Sequence, residues 1–304
     1  MDLYLPIANL PVNMVVIIGL GGLVGLLSGM FGVGGGFLTT PLLIFYGIPP
    51  TVAAASAATQ VTGTSVSGVI SHLSRNTVDV RMGLVMVVGG IIGAVIGAGL
   101  FSLLQSIGQM DTAISLLYVL MLGSIGAMMA WESVQTLIQM KTGARPTARK
   151  RRHHPLVAAL PMRWRFYKSG LYISPLAPLL LGMTTGIMTM LLGVGGGFIL
   201  VPAMLYLLGM TTQVVIGTSL FQVLFVTMAT TLVHSVTTKA VDFVLALMLL
   251  VGSVVGAQIG TRVSRKVQPE YLRVILAAIV LVVAIRMALG LGWRPDEIYT
   301  LEIR

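Results

Sequence analysis

The sequence predicts an all-α polytopic membrane protein made of two inverted repeats of about five helical segments each. Hydrophobic residues fill 56% of the 304 positions and charged residues only 9%, whereas a soluble domain is about 25% charged. The string GVGGGF occurs twice, at Gly32–Phe37 and Gly193–Phe198, each time inside an apolar stretch. In membrane proteins, glycine-interrupted segments at matching positions of two halves point to a substrate site.

Ten apolar segments are suited to form helices, five in each half of the chain. They are 12–31, 35–46, 51–72, 83–104 and 112–137, then 173–192, 196–208, 213–235, 241–263 and 270–292. The second segment of each half rises roughly 20 Å at 1.5 Å per residue, short of the ~30 Å hydrocarbon core. It is therefore either tilted and partial or one arm of a re-entrant hairpin, and we expect about eight to ten transmembrane or half-membrane helices.

Basic residues divide the chain and orient it. Nine of the 19 Lys and Arg residues lie in 141–169, a segment without Asp or Glu. This is typical of a cytoplasmic loop that meets anionic lipid rather than of a nucleic-acid-binding segment. We therefore predict a first repeat at 1–140, a basic cytoplasmic linker at 141–169 and a second repeat at 170–304.

Crossing parity predicts that the second repeat is inverted. The first 74 residues contain no Lys or Arg, which places the N-terminus outside; the C-terminal tail is also expected outside. Each half then crosses the membrane an odd number of times, whether its short segment spans the membrane or folds back. Because an odd number of crossings ends on the opposite side, the second repeat starts from that side and is inverted. The start of the chain lacks the basic region of a cleaved signal peptide, so the first apolar segment is expected to remain.

Regularly spaced glycines predict close helix packing. Gly89, Gly93 and Gly97 match Gly252, Gly256 and Gly260 at a constant offset. Glycines spaced by four share one helix face and let a neighbouring backbone approach.

The glycine breaks are the first candidate substrate site. Consecutive glycines are poor helix formers, so Gly34, Gly35 and Gly36, and likewise Gly195, Gly196 and Gly197, suit a turn before a new helix. Free N–H groups and the positive dipole end at a helix start bind anions. The alternative is that the glycines only allow tight packing or a hinge.

Polar residues near the breaks complete the candidate site. Hydroxyl and amide side chains in the second and third segments of the two halves could bind an anion or join helices to one another: Thr39, Thr40, Thr59, Gln60, Thr218, Ser219 and Gln222. His72 and His234 close equivalent third segments and either cap carbonyls or serve gating or proton handling. Arg286 either extends to the outer interface or attracts an anion.

Composition excludes other chemistry. The chain has no cysteine, and no acidic residue falls at a predicted helix centre. A carboxylate proton relay, a cationic substrate, a thiolate-held metal and an intramembrane enzyme are therefore not expected. We expect neither a cofactor nor a metal.

The paired halves, each with GVGGGF followed by Pro41 or Pro202, and the basic central loop resemble the TauE/SafE family of membrane proteins. The resemblance implies transport of small sulfur oxyanions or organosulfonates, usually outward, across a bacterial or archaeal cytoplasmic membrane. It supports an anion transporter more strongly than it supports sulfite as the substrate.

We therefore expect a permease for a small sulfur-containing oxyanion that works by alternating access. The alternatives are a permease for another small anion or sulfur compound, including an importer, and an accessory membrane subunit. The expected partners are a small inorganic or organosulfur anion and the lipid bilayer, with a homodimer left open and nucleic acid excluded.

Overall fold

A bundle of α-helices makes up most of the computed structural model, which describes residues 2–31, 35–141, 163–264 and 269–292. The described residues form ten α-helices: α1 (Met14–Phe31), α2 (Gly36–Phe45), α3 (Pro50–Ser74), α4 (Val80–Ser106), α5 (Met110–Lys141), α6 (Leu176–Leu192), α7 (Gly197–Tyr206), α8 (Thr212–Val233), α9 (Phe243–Ser264) and α10 (Pro269–Gly292). A π-helical turn, His234–Thr238, extends α8. The predicted all-α class and each of the ten predicted segments are confirmed.

Two short antiparallel hairpins precede α1 and α6, and the sequence did not predict them. One joins β1 (Asp2–Leu5) to β2 (Leu10–Asn13), and the other joins β3 (Trp164–Phe166) to β4 (Leu171–Ile173). Strands of three or four residues are too short for a reliable alternating pattern. Leu5 and Phe166 are fully buried, so each hairpin is fixed to the bundle by an apolar side chain.

Helix lengths show a multi-pass membrane protein with an interrupted interior. Within the part of the chain that the structure describes, five helices are long and apolar enough to cross a bilayer: α4, α5, α8 with its π turn, α9 and α10. The helices α2 and α7 have 10 residues each, which covers only about 15 Å. Neither can span the hydrocarbon core alone.

Helices from the two parts of the chain pack reciprocally. The first helix of the N-terminal part, α1, packs against α9, while α4 packs against α6, the first helix of the C-terminal part. A Cβ atom built on Gly256 would lie 2.0 Å from the Gly22 carbonyl oxygen, and one on Gly93 would lie 2.1 Å from the Met183 carbonyl oxygen. The predicted close packing at the spaced glycines is therefore confirmed, since only glycine fits there.

The central helices α3 and α8 run antiparallel. The Thr59 hydroxyl donates to Thr231 Oγ1 at 3.3 Å and the Thr62 hydroxyl donates to Thr227 Oγ1 at 2.9 Å. Rising residue numbers on α3 thus meet falling numbers on α8. A further pair is formed by α5 and α10, in which Gly126 faces Val280.

Two buried aspartates fasten opposite ends of the bundle in the same way. Asp79 caps α4 by accepting from the Met82 amide at 3.1 Å, while its own amide donates to Thr218 Oγ1 at 3.0 Å. Asp242 caps α9 by accepting from the Leu245 amide at 3.1 Å.

Each aspartate also holds a hairpin. Asp79 Oδ2 accepts from Ser169 beside β4, with its hydroxyl at 2.6 Å. The Asp242 amide donates to Ser56 Oγ at 3.1 Å, and Asp242 Oδ2 accepts from the Ile7 amide at 3.2 Å. We call the two ends the Asp79 face and the Asp242 face.

Alanine at two glycines of α4 should have opposite effects on stability. Gly93→Ala places a Cβ against the α6 backbone and should lower the free energy of unfolding by about 1–3 kcal/mol. Gly99→Ala, which meets nothing within 4 Å, should raise it by up to about 1 kcal/mol because alanine favours helix. Thermal unfolding of the purified variants in one detergent measures both, and equal shifts would contradict the packing argument.

Candidate functional site

The two glycine breaks meet inside the bundle. The rings of Phe37 and Phe198, each the last residue of a GVGGGF string, are buried and stacked with centroids 4.4 Å apart and planes 7° from parallel. A Cβ on Gly36 would lie 2.5 Å from the Val194 carbonyl oxygen. The N-termini of the short helices α2 and α7 are therefore brought together at one place.

The second break has a backbone that glycine alone adopts readily. Gly193 ends α6 with φ 71°, Gly195 has φ 74°, and Gly196 precedes α7 with φ 74° and ψ −16°. Positive φ is strained for residues that carry a Cβ. In the first break, Gly35 has φ −70°, and Gly34 lies outside the described residues.

Side chains satisfy two of the carbonyl groups that α6 leaves open at its end, those of Met190 and Leu192. The Leu192 carbonyl oxygen accepts from the Tyr118 hydroxyl at 2.6 Å and the Thr40 hydroxyl at 3.1 Å. The Met190 carbonyl oxygen accepts from His234 Nε2 at 3.0 Å, so Nε2 carries the proton in this contact. These two acceptors thus have donors from α2, α5 and the π turn.

The Gly193 amide donates to the Thr189 carbonyl oxygen at 2.8 Å, but three later amide groups of the same break have no such partner among the described residues. Helical bonding resumes where the Leu200 amide donates to the Gly196 carbonyl oxygen at 2.8 Å. The preceding N–H groups of Gly195, Gly196 and Gly197, all buried, meet no acceptor within the described ranges. Successive free N–H groups around left-handed residues, at the positive end of a helix, form an anion-binding arrangement.

Two threonines of α6 line the break and were not predicted. A Cβ on Gly196 would lie 3.1 Å from Thr185 Cβ and 3.4 Å from Thr189 Oγ1. Their counterparts near Gly35 are Val24 and Ser28. A comparison of matching halves overlooks Thr185 because its counterpart is apolar. The available signal was that Thr185 and Thr189 are four residues apart, on one helix face, and shortly precede the glycines.

Gln222 joins this group through Thr185. Its Nε2 donates to Thr185 Oγ1 at 3.3 Å, and the Thr185 hydroxyl in turn donates to the Leu181 carbonyl oxygen at 2.9 Å. Gln222 is fully buried, and its Oε1 has no hydrogen-bond partner among the described residues. A buried acceptor without a donor is uncommon and calls for an explanation.

The first break has its own amide and hydroxyl pair. The Thr39 hydroxyl lies 2.8 Å from Gln60 Oε1 and 3.1 Å from the Gly35 carbonyl oxygen. Thr39 and Gln60 therefore lie beside the first break, as Thr185 and Gln222 lie beside the second.

The remaining candidate residues have structural partners. Thr59 joins α3 to α8, and Thr40 caps α6. Thr218 accepts from the Asp79 amide, and the Ser219 hydroxyl donates to the Ile216 carbonyl oxygen of its own helix at 3.0 Å. Thr218 and Ser219 precede Gln222 by one helical turn, towards the Asp79 face.

The two histidines lie at opposite ends of α4. His72 is half-buried, and its Nδ1 lies 2.9 Å from Thr77 Oγ1, just before α4 begins. His234 is fully buried and makes an edge contact with Phe101 near the end of α4, with centroids 5.1 Å apart. Arg286 is exposed over the Phe45 ring, 5.5 Å from its centroid, and makes no hydrogen bond or ion pair with the described residues of the breaks.

Metal ligation has no support in the described part of the chain, where no group of three or more His, Asp or Glu side chains could hold an ion. The chemistry available at the breaks is hydrogen bonding by backbone amides, hydroxyls and side-chain amides.

Comparisons with known proteins agree with this architecture. A family model described as sulfite exporter TauE/SafE matches residues 17–287. The chain is 30% identical over 274 residues to the probable membrane transporter protein YjnA of Bacillus subtilis (strain 168), covering 89% of this chain and 98% of the relative. It is 29% identical over 244 residues to a probable membrane transporter protein of Xylella fastidiosa (strain Temecula1 / ATCC 700964), covering 80% and 81%. No solved structure matches.

Disulfide cross-linking can test the antiparallel contact at the centre, since the chain has no native cysteine. Cysteine pairs at Thr59 and Thr231, and at Thr62 and Thr227, should oxidise readily because their side chains already touch. The exchanged pair at Thr59 and Thr227 should not. A mobility shift under mild oxidant measures this, and efficient cross-linking of only the exchanged pair would contradict the helix directions.

Proposed function

The chain belongs to the sulfite exporter TauE/SafE family, and from this premise we propose that it is a permease for a small sulfur-containing oxyanion, sulfite or an organosulfonate. Membership and its relatives make it a membrane transporter. The observation that carries the proposed substrate class is the second break, where three consecutive buried N–H groups have no acceptor among the described residues.

The site would bind its anion by dipoles rather than by a counter-charge. The side chains that line the second break are Thr185, Thr189, Val61, Val223 and Thr227, none of which ionises. Backbone N–H groups and the start of α7 supply positive potential without a buried cation. A small anion of low charge suits this environment, because a buried multiple charge would require stronger compensation.

The free Gln222 acceptor favours an anion that also carries a proton. Amide N–H groups can donate to the oxygens of the anion, while Gln222 Oε1 can accept only from a donor. Hydrogensulfite offers both groups, whereas fully ionised sulfate offers acceptors alone. This difference is our reason for favouring sulfite over sulfate.

Alternating access would arise from two inverted repeats, 1–140 and 170–304, joined by a cytoplasmic loop at 141–169. The antiparallel contact of α3 with α8 and the reciprocal pairs α1–α9 and α4–α6 support this arrangement. The Asp79 and Asp242 ties would open in turn at the two faces. Positive charge near Asp79 supports placing that face in the cytoplasm, with both termini outside, in the cytoplasmic membrane.

Alanine at Gly196 should reduce transport at least tenfold. The new Cβ would lie 3.1 Å from Thr185 Cβ and would crowd the free amide groups. Gly108→Ala is the matched control: Gly108 also has positive φ, at 72°, but has open space around it. Both variants should lose about 1–2 kcal/mol of stability from the strained backbone, yet only Gly196→Ala should lose flux.

Sulfite efflux from proteoliposomes measures this, with sulfate, thiosulfate and sulfoacetate as competitors. Normal efflux by Gly196→Ala would overturn the site. Flux of another small anion but not of sulfite would keep the site and replace the substrate.

Leucine at Gln222 should separate stability from transport. Removing a buried acceptor without a partner should leave the melting temperature level or raise it, while flux should fall at least tenfold. The control is Ser133→Ala in α5, which removes a different buried oxygen, a hydroxyl, that also has no hydrogen-bond partner among the described residues. This variant should leave flux unchanged. Equal flux in both variants would remove Gln222 from the site.

A further inference from the structure

An apolar groove lies on the outer surface of the bundle near the Asp79 face. Its volume is about 330 Å³, and it is lined by Leu84, Val85 and Val88 of α4, Trp164 of β3, and Pro175, Leu176 and Leu179 at the start of α6. Leu84 and Val88 are each 51% exposed. The groove therefore faces the lipid rather than the interior.

A free arginine continues the same helix face beyond the groove. Arg81 precedes Leu84, Val85 and Val88 by three, four and seven residues, which places all four on one side of α4. Arg81 is exposed and makes no ion pair or hydrogen bond with any residue that the structure describes. One end of the groove thus carries an unpaired positive charge.

The hairpin β3–β4 sets the depth of the groove in the membrane. It is fastened to the start of α4 by Ser169 and Asp79, and Tyr167 and Tyr172 are 76% and 58% exposed. Trp and Tyr side chains gather where acyl chains meet headgroups. Arg165, stacked 5.9 Å over Tyr167, adds a second positive charge at this level.

The opposite face has the same apolar residues but no arginine at the position that corresponds to Arg81. Counting from Asp79 and Asp242, Leu84 corresponds to Leu247 and Val88 to Val251, which are 50% and 52% exposed. The residue that corresponds to Arg81 is Val244. Charge complementarity therefore distinguishes the groove on the Asp79 face from its counterpart.

We propose that this groove binds one anionic phospholipid, with an acyl chain along Leu84, Val88 and Trp164 and the phosphate at Arg81. The groove recognises the acyl chain by apolar contact, and the unpaired Arg81 guanidinium recognises the phosphate. The site is separate from the glycine breaks and does not depend on which solute the protein carries.

Fluorescence of Trp164 provides the test, because the groove contains this tryptophan. Trp131→Phe and Trp293→Phe in the full chain leave Trp164 as the remaining tryptophan. The protein is placed in phosphatidylcholine vesicles with increasing brominated phosphatidylglycerol or brominated phosphatidylcholine. Brominated phosphatidylglycerol should quench Trp164 fluorescence with an apparent binding constant about fivefold higher than that of brominated phosphatidylcholine. This is the gain expected for one arginine near the membrane surface.

Matched variants locate the selectivity. Arg81→Gln should reduce the ratio of the two apparent binding constants, phosphatidylglycerol to phosphatidylcholine, to about one. Arg75 is an exposed arginine at the same end, and Arg75→Gln should leave this ratio unchanged. Val88→Phe fills the groove and should abolish selective quenching, while Val251→Phe at the corresponding position should not. Equal quenching by both lipids in the parent protein, or equal loss in Arg75→Gln and Arg81→Gln, would overturn the proposal.

Discussion

The structure depends on one requirement, that backbone polar groups inside an apolar bundle find partners. At the second glycine break, two carbonyl groups fulfil this requirement, but three amide groups do not. Carbonyl groups at the end of α6 accept from Thr40, Tyr118 and His234. The amide groups of Gly195–Gly197 remain open among the described residues. Free donors beside two satisfied acceptors suit the anion binding that we propose, without any ionised side chain.

Glycine has two different tasks in this molecule. On α1, α4, α6 and α9 it removes side chains, so that two pairs of helices touch through their backbones. At Gly193, Gly195 and Gly196 it supplies positive φ, which ends one helix and starts another. The first task joins the N-terminal and C-terminal parts of the chain. The second creates the interruption that those rigid pairs surround. The aspartate ties complete this frame, because each holds a helix start, a central helix and a hairpin together at one face.

Part of the candidate site could be predicted from the sequence. The repeated glycines, with Thr39, Gln60 and Gln222 near them, were found because they recur or sit in polar runs of otherwise apolar helices. Thr185 and Thr189 were missed because their role arises from packing of α6 against the break, and only one of them has a polar counterpart. The sequence shows Asp79 and Asp242 only as acidic residues away from predicted helix centres. Their shared role required knowledge of which hairpin reaches each carboxylate and which central helix accepts from each aspartate amide, across 90 or more residues of chain. Thr40, Thr59 and Thr218 have structural partners that spacing along the chain could not identify.

The sequence by itself determined the membrane class, the ten helices, the duplicated breaks and the close packing at spaced glycines. These properties follow from local composition and periodicity, since apolar length makes a span and a glycine triplet interrupts a helix. Tertiary structure alone decided that α1 pairs with α9 and α4 with α6, that the two phenylalanines stack, and which groups of the second break stay unpaired. The physical reason is that a hydrogen-bond partner is a property of three-dimensional contact: the sequence states which donors exist, and only the fold decides which of them are left without an acceptor.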